Sequence, residues 1–212
     1  VPLFAQQNRS LFHADPHAGN LLFDIRTRQL VLLDWALTER LTGEQQRHLA
    51  LLVLAVSMRD CSASCKQIEA LSLPGARSAA DRTVRSNTRE FLQKLPLTRV
   101  PGTLDAMRLV ERLAFQGITF PAALIMLRKA LFTLDGILHE IAGGDYSLDL
   151  VLGSYLVRGW LRGDKMPGSP LCITDWIEIQ SSALFYSSRW WTHFAGSQAF
   201  PPCAATFNER CR

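Results

Sequence analysis

Two short apolar runs, Leu21 to Phe23 and Leu30 to Leu33, flank the charged stretch Asp24-Ile25-Arg26-Thr27-Arg28-Gln29. Strand-length apolar segments on either side of a polar turn predict a β-hairpin. No other stretch of the chain carries a comparable β signal. Beyond the hairpin the apolar residues recur at helical spacing. Thr42 with Gln45 makes a capping box ahead of the apolar run Leu49 to Val56. Helices are expected over 63–72, 79–95 and 103–117. Another should start at Pro121, carry Leu124, Leu127, Leu131, Leu134, Leu138 and Ile141 on one face, and close at Gly143-Gly144. Two more are expected over 147–162 and 175–194, and residues 196–212 form an irregular tail. The pattern is mainly α with a small β-hairpin, in one domain spanning residues 1–195.

Composition narrows the function classes. With 48% hydrophobic and 20% charged residues the chain can bury a core. The net charge of +4 is scattered, and no run of five Lys/Arg occurs, so nucleic acid is not an expected partner. Five cysteines with no Cys-x-x-Cys pair suit free thiols in a reducing, cytoplasmic setting. No uncharged apolar stretch reaches the ~18 residues of a membrane span. The chemistry-bearing motif opens about a dozen residues after Val1, which suggests a fragment of a longer protein.

That motif is the loop Asp15-Pro16-His17-Ala18-Gly19-Asn20 before the first hairpin strand, together with Asp34 after the second. A hairpin returns its ends to one place, so Asp34 comes back to the loop that holds Asn20. Oxygen ligands from Asn20 and Asp34 suit Mg²⁺, a hard cation that takes further ligands from phosphate. Asp15 beside that metal would orient an incoming hydroxyl, and phosphoryl transfer depends on such positioning and on charge neutralisation. Asp-x-x-x-x-Asn, hairpin, Asp is the order of the catalytic and metal loops in protein kinases. The bland alternatives are that Asp15 and Asn20 only form turns, or that His13, Asp15, His17 and Asp34 hold zinc for a hydrolase.

The segments Phe12-His13-Ala14-Asp15-Pro16-His17-Ala18-Gly19-Asn20-Leu21-Leu22 and Leu32-Leu33-Asp34 resemble the UbiB/AarF family of atypical kinases, over roughly residues 10–145. The resemblance implies the C-lobe of a protein-kinase-like fold and dependence on ATP and Mg²⁺. It also implies a link to ubiquinone or isoprenoid-lipid metabolism. On that basis Asp15 is the catalytic aspartate, Asn20 and Asp34 are the metal and nucleotide ligands, and His13 and His17 support the loop. The family's nucleotide lobe, with its Lys-x-Gly-Gln element, would precede Val1. Ala18 stands in place of a proline, and Trp35-Ala36 in place of Phe-Gly. Ala36 is expected to strain the turn after Asp34, because alanine does not take positive φ as cheaply as glycine.

Asp34-Trp35 is also reminiscent of aminoglycoside and choline kinases, so a small-molecule phosphotransferase is the rival enzyme. A pseudokinase that scaffolds or binds lipid is the rival outside enzymes. Within the helix after Pro121, Arg128 and Lys129 are expected to mark a solvated face. The aromatic stretch Trp176, Phe185, Tyr186, Trp190, Trp191 and Phe194 packs on the bundle or meets a membrane interface, which would make the protein peripheral at a membrane.

Overall fold

The computed structural model describes residues 9–74, 77–97, 99–142, 148, 149 and 152. The helices expected over 147–162 and 175–194, the Gly143-Gly144 stop, the aromatic stretch and the tail over 196–212 lie outside those residues.

The chain enters on a strand, β1 (Arg9–His13), in which Ser10 and Phe12 are buried and Leu11 is exposed. Its partner is β4 (Thr38–Thr42), antiparallel, with His13 opposite Thr38 and Arg9 opposite Thr42. The hairpin of β2 (Leu21–Asp24) and β3 (Gln29–Leu32) sits between them in sequence, with Leu21 opposite Leu32. Its turn is held by Asp24, whose carboxylate accepts from the amides of Arg26 (2.8 Å) and Thr27 (3.4 Å) and from the Thr27 hydroxyl (2.8 Å). The β1–β4 pair departs from the single hairpin expected. Its strands are short and polar, and Leu41 is the buried apolar residue of β4. Ser10 is a polar residue at an inward position, where its hydroxyl accepts from Gln46 Nε2 at 2.8 Å.

Helix α1 (Gly43–Ser57) opens on the capping box, Gln45 N to Thr42 Oγ1 at 3.1 Å and Thr42 N to Gln45 Oε1 at 3.0 Å. It ends where Arg59 takes φ of 56°, a left-handed position usually given to glycine. The Arg59 guanidinium donates to the carbonyls of Leu92, Leu95 and Pro96, closing the end of α3 (Arg77–Lys94). Asp60 caps α2 (Cys61–Leu71) through the amides of Ser62 and Ala63. Helix α4 (Thr103–Phe115) is capped from a distance, with Asp149 Oδ1 accepting from Thr103 N at 2.7 Å and Leu104 N at 3.3 Å. A side chain at Gly102 would overlap that carboxylate, so the close approach requires glycine.

The core joins Leu49, Leu52 and Val56 of α1 to Leu109, Val110 and Leu113 of α4 and to Leu124, Leu127 and Leu131 of α5 (Ala122–Ala142). Phe12 and Leu41 carry it onto the β1–β4 pair. The expected apolar face of α5 is buried only in its first half, and Ile141 is 79% exposed. The described residues are thus mainly helical with small antiparallel sheets, consistent with a kinase-like fold. Among them no helix is long and apolar enough to cross a membrane.

Candidate active site

β1 and β4 fix the base of the site. Beyond His13 the main chain stays paired for one more bond, Ala14 N to Leu37 O at 3.0 Å, and then opens into the loop. Pro16 removes one donor, and the remaining polar groups organise the turn among themselves. His17 N donates to Asp15 O (2.9 Å), and Asn20 N donates to His17 O (2.9 Å). The His17 ring accepts at Nδ1 from Gly19 N at 3.1 Å, capping the single 3-10 turn Ala18–Asn20. Gly19 passes close to that imidazole, and a Cβ there would lie 3.0 Å from His17 Cε1.

Asn20 is buried and His17 exposed. Asn20 Nδ2 donates to Asp15 O at 3.1 Å, which leaves its Oδ1 as the acceptor end of the amide. The carbonyl of Asn20 accepts from Leu33 N at 2.9 Å, so the loop is hydrogen-bonded to the residue just before Asp34.

His13 makes the second link between loop and hairpin. Its Nδ1 accepts from Asp15 N at 3.1 Å, which assigns the proton to Nε2, and Nε2 lies 3.0 Å from the carbonyl of Leu33. Trp35 packs edge-on against the same imidazole, with ring centroids 5.4 Å apart, and donates from Nε1 to Leu32 O at 3.2 Å. Asp34 itself is exposed, adopts φ of 49°, and accepts from Ala36 N at Oδ1 (3.2 Å). The left-handed residue of this turn is therefore Asp34 and not Ala36, and the strain expected at Ala36 does not arise. Aspartate tolerates this region because its carboxylate bonds to the backbone two residues on.

The solvated face expected for Arg128 and Lys129 holds for Lys129, which is exposed, whereas Arg128 is partly buried. Arg128 pairs with Glu111 and lies 5.0 Å over the Phe132 ring. Lys129 Nζ lies 2.8 Å from Asp15 Oδ1. The lysine stands at the margin of the buried stripe of α5, beside Leu127, Ala130 and Leu131. Helical position alone does not reveal that this margin faces the Asp15 loop. The hydrogen bond from Lys129 holds the Asp15 carboxyl below the ordinary aspartate value of 3.8; partial desolvation opposes it, and the Lys129, His17 and His13 charges assist.

The zinc alternative fails. Among the described residues no three His, Cys, Asp or Glu side chains gather as metal ligands. His13 and His17 spend ring nitrogens on the loop itself. Cys61 and Cys65 are free thiols, and burial, then the neighbouring Cys61, push the Cys65 thiol up to about 11, away from thiolate chemistry. Asn20 and Asp34 offer oxygen donors of the type Mg²⁺ prefers, and with phosphate and water such an ion needs few protein ligands.

Beside the loop the hairpin presents an apolar surface. Phe23 is 62% exposed and Leu30 61%, with Leu22, Val31 and Trp35 also open to solvent.

Comparison with known proteins agrees with the motif. Over 141 residues the chain is 26% identical to the "Uncharacterized protein sll1770" of Synechocystis sp.. The matched region is 64% of this chain and 23% of that protein, so the chain spans about a quarter of the relative's length. No solved structure matches the chain. Residues 3–68, which contain β1, the Asp15–Asn20 loop, the hairpin and most of α2, match the ABC1 atypical kinase-like domain, in accord with the UbiB/AarF resemblance of the His13, Asp15, Asn20 and Asp34 motif.

Proposed function

We propose that this chain contributes the catalytic C-lobe of an ATP- and Mg²⁺-dependent atypical kinase or ATPase of the UbiB/AarF type. The observation that carries the reading is the pair of links between loop and hairpin, His13 to Leu33 O and Leu33 N to Asn20 O. They hold Asp15, Asn20 and Asp34 on neighbouring backbone, although the hairpin separates Asp34 from the other two in sequence.

Asp15 accepts a hydrogen bond from the hydroxyl of the acceptor, or from water, and aims its oxygen at the terminal phosphorus. The new O–P bond forms as the bond to the bridging oxygen breaks, the electron pair leaves on ADP, and the hydroxyl proton passes to Asp15. Asn20 Oδ1 and the Asp34 carboxylate would hold the metal, and His13 keeps their loops in register. Mg²⁺ bound there would neutralise phosphate oxygens and the charge that develops on the leaving group. The exposed apolar hairpin suits contact with the nucleotide base and the nucleotide lobe. The family resemblance extends the proposal to ubiquinone or isoprenoid-lipid metabolism and to peripheral membrane association.

The test is turnover of MgATP by the protein carrying its nucleotide lobe. Asp15→Ala should lower kcat by ~10²-fold or more while nucleotide affinity stays near wild type, since an orienting group acts mainly in the transition state. Activity within ~3-fold of wild type would remove Asp15 from catalysis and favour a non-catalytic, nucleotide- or lipid-binding scaffold.

A further inference from the structure

The Lys129–Asp15 pair is not accounted for by stability. Lys129 is 51% exposed and Asp15 32%, and ion pairs so open to water contribute little to folding. The backbone that delivers the lysine is nevertheless firmly set. Leu127, Ala130 and Leu131 are buried on either side, and Arg128 is committed to Glu111 and Phe132 on the neighbouring face. The ammonium therefore arrives from a fixed helix at the carboxylate of a loop distant in sequence.

We infer that Lys129 is a positioning residue of the site, holding the Asp15 carboxylate in place and offsetting its charge as an anionic phosphoryl group approaches. The inference rests on the phosphotransfer reading above. An ionised aspartate next to the transferring group would otherwise repel it, because like charges at contact distance interact strongly where water is partly excluded. The titratable groups facing Asp15 are His13 at the end of β1, His17 in the loop and Lys129 of α5. His13 and His17 spend Nδ1 on the amides of Asp15 and Gly19, whereas the Lys129 ammonium lies 2.8 Å from the carboxylate itself and supplies the compensating charge at that oxygen. A carboxylate paired in this way is a weak base. It suits a reaction in which the nucleophile is oriented early and its proton moves late.

The experiment follows ADP release from MgATP by the nucleotide-lobe-containing protein for wild type, Lys129→Met and Lys129→Arg. Lys129→Met should lower kcat by roughly 10- to 100-fold with the KM for MgATP within ~3-fold. Lys129→Arg should recover most of kcat. An unchanged kcat in Lys129→Met would overturn the inference. So would a loss of kcat that Lys129→Arg does not repair, since that marks a merely structural residue. If Lys129→Met does not fold, Lys129→Gln is assayed in its place, with the same results supporting or overturning the inference. Turnover that survives Asp15→Ala would remove the phosphotransfer reading itself. Turnover abolished by Asp15→Ala but untouched by Lys129→Met would remove only the role of Lys129.

Discussion

His13 Nε2 donates to the carbonyl of Leu33 at 3.0 Å while Nδ1 of the same ring accepts from Asp15 N at 3.1 Å. One imidazole thus sets the separation between the loop and the far strand of the hairpin. Neither main-chain group has a helix or sheet ladder to fall back on at this point, so removing the ring leaves both to water or unpaired.

His13→Ala should therefore act on both stability and turnover. Losing two hydrogen bonds and the Trp35 edge contact costs about 1–3 kcal/mol. kcat should fall by ~10-fold or more as Asp15 and Asp34 lose their register. Chemical denaturation and MgATP turnover measured on the same preparation check both, and a stable variant with wild-type kcat would show that the loop holds itself.

Asp34→Asn keeps the size and the acceptor towards Ala36 N but removes the charged oxygen from the proposed metal site. Hard divalent cations favour carboxylate over amide oxygen. The concentration of Mg²⁺ needed for half-maximal nucleotide binding should rise by ~10-fold or more. A magnesium titration superimposable on wild type would exclude Asp34 as a ligand.

Asp105 offers a test of the scaffold away from the site. It is 1% exposed and accepts from Arg99 at 2.5 and 2.9 Å, from Arg108 at 3.0 Å and from Gly102 N at 3.1 Å. Burial raises its pKa, but the Arg99 bond, the Gly102 amide and the remaining charge contacts outweigh it, so the carboxyl is held below 3.8. A depressed folded-state pKa contributes stability that is present above 3.8 and is lost as pH falls through the folded value. Asp105→Ala should lose about 2 kcal/mol at pH 7, less than a fully buried pair because Arg99 is half in solvent. It should also flatten the acid-side fall in stability below 3.8, as measured by urea unfolding across pH. Asp149 has the opposite sign, because burial raises its pKa, and its contribution is lost as pH rises through the folded value.

Ala36→Gly would restore the residue expected after the metal aspartate. The left-handed residue is Asp34, so glycine at 36 relieves nothing and adds freedom to the unfolded chain. Stability should drop by about 0.4–1 kcal/mol, with the turn at Asp34 unchanged. A gain in thermal stability would show that Ala36 is strained after all.

Local sequence determined a good deal of this protein. The β2–β3 hairpin, the Thr42–Gln45 box and the starts of α1 and α5 follow from turn residues, capping chemistry and apolar spacing that act within a few residues. The Asp15, Asn20 and Asp34 order is legible for the same reason, since a hairpin must return its ends to one place. Tertiary structure decided what depends on partners distant in the chain. β1 and β4 are too polar to announce themselves, and they become strands because Ser10 finds Gln46 and because Phe12, Ala14 and Leu41 close the core over α1 and α5. Positive φ fell to Asp34, whose own carboxylate could stabilise the turn. Lys129 looked like any lysine on a helix, and only the packing of α5 against the strands brings its ammonium to Asp15. Periodicity specifies which face of a helix is apolar, whereas the charge a polar margin meets depends on which element packs beside it.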